Sequence, residues 1–117
     1  MEYTSFSEQQ VSTNDQGAVI REPSLESSPI GDAEIYIENR YPKEGFALNT
    51  ACDILVIILE QHGRVLYHPD TGKEPITVSR GGKLYIPQGE AYAFEGPVKL
   101  EYVSFPPWTP DQAKHIQ

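Results

Sequence analysis

Gly81-Gly82-Lys83-Leu84-Tyr85-Ile86-Pro87-Gln88-Gly89-Glu90-Ala91-Tyr92 is the stretch that decides how this chain is read. Arg80-Gly81-Gly82 makes a turn, Lys83 to Pro87 a short strand, and Tyr92 to Glu95 the next one. The same rhythm runs outward on both sides. Val98 to Phe105 follows Gly96-Pro97 and stops at Pro106-Pro107, because proline cannot donate to a ladder. Upstream, Glu74 to Ser79 and Arg64 to His68 read as strands around the turn Pro69-Asp70-Thr71-Gly72. Asp53 to Glu60 encloses Ile54-Leu55-Val56-Ile57-Ile58-Leu59, an apolar β-rich run suited to a strand buried on both faces. A helix of that length would have no polar face. Gln61-His62-Gly63 is expected to turn the chain. Glu34 to Glu38 alternates as a half-buried strand does, and Asn39 to Glu44, with Pro42, reads as a loop. Short, evenly spaced strands with Gly/Pro turns point to an antiparallel barrel or sandwich. Thr109 as N-cap and Pro110 at the first helical position predict a short C-terminal helix.

The 117 residues allow one domain with a real core. Acid concentrates at the front: Glu2, Glu8, Asp15, Glu22, Glu26 and Asp32 face a single cation, Arg21. Residues 1–33 are polar and lack sustained periodicity, so they are expected to form a mobile arm. Residues 34–117 carry the domain. The net charge of −8 and the absence of a basic cluster argue against nucleic acid as a partner. No long apolar run or N-terminal apolar segment suggests a membrane span or signal peptide. The lone cysteine, Cys52, excludes an internal disulfide and sets a reducing, cytoplasmic compartment as the expectation.

Gly81 to Tyr92 resembles the second motif of the cupins: glycine, five residues, Pro-x-Gly, two residues, then normally histidine. Asp53 to Val65 is similar to the end of the first cupin motif, and Ser104 to Gln112 to the Pro-Pro-Trp closing segment of short bacterial cupins. The likeness covers residues 34–117. It implies an all-β, cupin-type antiparallel double-stranded β-helix, a jelly-roll barrel, and a homodimer paired through a sheet edge. The family holds a metal with His-x-His, a glutamate and the second-motif histidine. Those positions fall here on Ala47 and Asn49 (or Leu48 and Thr50), on Ile54 or Asp53, and on Tyr92. Isoleucine cannot bind a cation, and asparagine and threonine are weak ligands for transition metals. No metal or other cofactor is therefore expected.

Tyr92 inherits an inward position. Its phenol is able to donate a hydrogen bond or act as an acid; the reading preferred from sequence is that its ring fills the space a metal would take. Alternation puts Phe94 on the same face, and Ile54, Val56 and Ile58 on one face of their strand. Asn49 lies near the inherited ligand positions, and His68 at a strand end near the barrel mouth. These seven, Asn49, Ile54, Val56, Ile58, His68, Tyr92 and Phe94, are the candidate pocket residues. The function expected is small-molecule binding or sensing without catalysis. The alternatives are a metal-dependent oxygenase using Asp53, His62, His68 and Glu90, or a metal-free sugar-nucleotide isomerase or epimerase. The latter would use Tyr92 and His68, with a phosphate rim drawn from Arg40, Lys43, Arg64, Arg80 and Lys83.

Overall fold

Residues 1–23 and 28–117 are described by the structure, a computed structural model. Among the described residues eleven strands appear in chain order: β1 (Gln10–Thr13), β2 (Ala18–Glu22), β3 (Gly31–Ile37), β4 (Arg40–Tyr41), β5 (Phe46–Asn49), β6 (Asp53–Tyr67), β7 (Ile76–Ser79), β8 (Lys83–Ile86), β9 (Tyr92–Glu95), β10 (Val98–Phe105) and β11 (Ala113–Ile116). They pair antiparallel into a curled barrel of two faces. The first face runs β1-β2-β3-β10-β6-β8. In the second, β6 lies between β7 and β9, β9 also meets β4 and β5, and β5 meets β11. Between the faces, Ile37, Ile54, Val56, Ile58, Phe94, Val98 and Leu100 are buried. The alternation of β6 and β10 supplies them, since every second side chain of a strand points to one face.

The apolar run in β6 forms the buried strand its composition predicts. The turn expected at Gln61-His62-Gly63 is instead a bend within one continuous strand. Gln61 takes a positive φ of 68°, and the register against β10 shifts between Lys99 and Leu100. The first half of β6 thus belongs to one face and the second half to the other. A β-bulge that re-aims a strand achieves this without breaking the ladder. Gly63 permits the bend, because a Cβ there would sit 2.3 Å from the Glu95 carbonyl oxygen.

The expected arm departs from the sequence reading over residues 10–22. There β1 and β2 extend the first face, Ile20 pairing with Ile35 and Ala18 with Ile37. Ala18 is buried and Ile20 packs against the core. The apolar island Val19-Ile20 is too short to announce a strand alone, and it gains one by alternating on an existing sheet edge. Residues 24–27, also within the expected arm, lie outside the described part. At the other end, the predicted helix is one 3-10 turn, Pro110–Gln112. The chain then adds β11 beside β5, because Thr50 donates its N–H and its hydroxyl to the Gln112 carbonyl at 2.8 and 2.9 Å. Among the described residues no helix is long and apolar enough to cross a membrane.

Candidate functional site

Between β2, β3 and β10 of the first face and Tyr41 and Tyr92 of the second, the packing leaves open space. A cavity of about 560 Å³ opens there. Ile35, Ile54, Tyr41, Tyr92 and Tyr102 form its floor; the end of β2 and residues 28–33 form one wall; Pro107 and Trp108 form the roof. The roof is pinned. Trp108 donates its indole N–H to Asn49 Oδ1 at 3.0 Å and its backbone N–H to Ser104 Oγ at 3.1 Å. Gly31 lets that segment approach, since a Cβ there would lie 2.3 Å from Ser104 Oγ.

The phenols reach the floor by strand alternation. Tyr102 follows Val98 and Leu100 on the inner face of β10, paired with Val56 and Ala33. Tyr92 opens β9 opposite Ala47 and Tyr67. Tyr41 pairs with Phe94. Tyr92 meets Phe94 edge-on with centroids 5.7 Å apart, and Phe94 meets Tyr102 at 6.1 Å. Offset and edge contacts of this kind are favourable for aromatic pairs.

Electrostatically the floor holds acids that keep their protons. Burial, then the nearness of Tyr41, pushes the Tyr92 phenol well above its usual value. Burial, then Tyr92 and Tyr41, does the same to Tyr102. Burial also raises Tyr41. At neutral pH such phenols stay neutral and serve as hydrogen-bond donors. The Tyr102 hydroxyl and the Asn49 carboxamide are the polar groups that face Tyr92. Yet the Tyr102 hydroxyl, itself shut off from solvent, meets no partner at hydrogen-bonding geometry.

Of the candidates named from sequence, Ile54 and Tyr92 border the cavity. Asn49 stands behind it, buried and holding Trp108. Val56, Ile58 and Phe94 lie in the core beneath. His68 is elsewhere. Its ring packs on Phe46 at 5.1 Å, Nε2 donates to the Gln117 carbonyl at 2.8 Å, and Nδ1 accepts the Asp70 N–H at 3.2 Å. Sequence reasoning did not single out Tyr41 or Tyr102. Alternation from Val98 would have pointed Tyr102 inward, whereas nothing marks Tyr41, whose strand is two residues long.

The metal positions of the resemblance do not fit a metal. Around Tyr92 stand Ala47, Ile54 and an asparagine already engaged by Trp108. Asp53 lies outside, its Oδ1 accepting the Gln88 N–H at 2.8 Å. Cys52 is buried in the core, its thiol raised by burial and by Asp53. Among the described residues no three His, Cys, Asp or Glu side chains converge.

No family model and no curated protein matches the chain. Solved structures do. The Streptomyces nucleoside dehydratase Pac13 superposes with a TM-score of 0.83 at 10% identity, over 100% of this chain and 92% of its own. The fold is a cupin-like barrel. The polyketide cyclase RemF of Streptomyces resistomycificus matches with a TM-score of 0.76 at 15% identity, over 100% of this chain and 86% of its own. Hydroxypropylphosphonic acid epoxidase of S. wedmorenis gives 0.75 at 13%, over 90% of this chain and 59% of its own. At such identities the cupin-like likeness is one of fold.

Proposed function

We propose that this cupin-like barrel binds a small molecule in the cavity over Tyr41, Tyr92 and Tyr102, and that it does so without a metal. The observation that carries the reading is the Tyr102 hydroxyl, sealed from solvent beside a cavity of about 560 Å³ and close to Tyr92 without reaching it at good hydrogen-bonding geometry. A buried polar atom left unpaired costs about 1–3 kcal/mol, and a ligand oxygen or nitrogen would remove that cost. The volume suits a drug-sized guest, and mostly apolar walls with a few polar groups are usual for such sites.

A metal-free enzyme is the second reading. It is favoured by the neighbouring protonated phenols and by likeness to a dehydratase and a cyclase. A phenol donor aimed at a developing oxyanion would lower a barrier. Elimination also needs a base, however, and the carboxylates among the described lining residues, Glu22 and Asp32, sit on exposed positions. Binding therefore stands ahead of turnover. An oxygenase built on Asp53, His62, His68 and Glu90 has no support in their placement, since no three of them converge. A sugar-nucleotide isomerase would need cations at the cavity. Arg40, Lys43, Arg64, Arg80 and Lys83 are all absent from its lining.

The test pairs elemental analysis of purified protein with ligand titration. Uridine is the first probe, because Pac13 variants were solved with it; other neutral oxygenated ring compounds follow. The expected result is a rise in Tm with one or more of them, weakened in Tyr102→Phe. Stoichiometric iron, manganese, nickel or zinc would end the metal-free reading. The homodimer expected from sequence is part of the same proposal. Leu55, Tyr85 and Phe105 are exposed on the outside of the first face, and Leu55 pairs with Tyr85 and Val103. Sedimentation as a monomer at high concentration would dispose of it.

A further inference from the structure

The charge around the cavity is one-sided. Among the described residues of its lining, only Glu22 and Asp32 carry charge, and both are acidic. The nearby cations are turned to other work. Arg21 donates to the Phe6 carbonyl at 3.2 Å and lies 3.8 Å over the Phe6 ring. Lys99 pairs with Glu34 at 3.1 Å on the outer face of the sheet. Residues 24–27 read Ser-Leu-Glu-Ser and contain no cationic residue. Asp32 pairs with Val103 on the outer side of β3, beside Glu34 and Glu101, so its carboxylate turns away from the interior; Glu22 follows Ala18 and Ile20 on the inner side of β2. Inside, Tyr41, Tyr92 and Tyr102 present neutral phenols and negative ring faces. Ring faces attract cations and repel anions, and a low-dielectric cleft lined by one sign of charge focuses its field.

We propose that the cavity selects by charge: it admits neutral or protonated-amine ligands and rejects those bearing phosphate or carboxylate. Glu22 is the residue that determines this. The inference rests on the binding reading above and narrows its ligand class. An anionic group entering would lose its hydration, meet no cation among the described residues of the lining, and pass the Glu22 carboxylate. A neutral hydroxyl or carbonyl would meet the Tyr102 donor at no such cost.

Three nitroxides of one size, one neutral, one amino-bearing and one carboxylate-bearing, test this by NMR. Each is added to the full chain at low ionic strength, and paramagnetic relaxation is read at Ile54 and Tyr102 and normalised to the mean over exposed amides. Normalising removes the effect of the overall −8. The amino probe is expected to relax the cavity resonances by roughly threefold or more over the carboxylate probe. That ratio should fall toward one in Glu22→Gln. Neutral and carboxylate probes of equal effect would overturn the charge selection and leave the binding reading standing. If no probe reaches Ile54 or Tyr102 while surface amides respond, the cavity is closed and both readings fall. As a second measurement, uridine is expected to raise Tm more than its 5′-monophosphate; the reverse order would overturn the proposal.

Discussion

At the scale of single residues, Tyr102 sets stability against binding. Its hydroxyl is buried and unpartnered, so Tyr102→Phe should stabilise the ligand-free protein by about 1 kcal/mol in urea unfolding while weakening the ligand-induced rise in Tm. A loss of stability in the free protein would show that the hydroxyl has a partner after all. Asn49 has the opposite role. Asn49→Ala removes the acceptor of the Trp108 indole N–H and should cost about 1 kcal/mol. The chain has one tryptophan, so the loosened roof is directly readable as red-shifted emission that acrylamide quenches more readily. Tyr92 was legible as an inward residue because the Gly-x5-Pro-x-Gly spacing fixes its place. Tyr102 was not singled out, because an aromatic on an alternating strand looks the same whether it fills a core or borders a void.

At the scale of elements, the informative strand is β6. Its first half was legible, since a run of β-branched and leucine residues has few other homes. The bend was mistaken for a turn because Gln-His-Gly carries turn chemistry. Only the pairing with β10 on one side and β7 and β9 on the other shows that the ladder continues. Gly63→Ala tests the bend. The added methyl would meet the Glu95 carbonyl at 2.3 Å, and forcing the backbones apart should destabilise by about 1–3 kcal/mol in urea unfolding. A neutral substitution would mean that the two halves separate without strain. Strands β1, β2 and β11 escaped the sequence reading for a related reason. Each is only four or five residues long, and each exists because a neighbouring edge offers hydrogen bonds, which local composition does not record.

At the scale of the whole molecule, acidity links charge to stability. Burial first raises the Asp32 and Glu101 carboxyls in the folded state; Asp32 and then Glu34 raise Glu101 further, and Glu34 raises Asp32 against the opposing hydrogen bond with Glu101. The folded chain therefore holds protons that the unfolded chain releases. The stabilisation from these two groups is complete below their unfolded values near 4 and is lost as pH rises through the raised folded values. Urea midpoints should accordingly fall on the alkaline side of that window, and Asp32→Asn should flatten the fall. Unchanged slopes in the variant would remove these carboxyls as the cause. Raised phenols act in the same sense at high pH: Tyr92 and Tyr102 should ionise only as the barrel opens, seen as ultraviolet phenolate absorbance rising together with loss of the β signal.

One strand shared by both faces has a kinetic corollary. Because β6 contributes backbone partners to β7, β8, β9 and β10, neither face can dissolve while the other stays intact. Amide deuteration along β6 should proceed as a single slow class on both sides of Gln61, with peripheral β1 exchanging well before it.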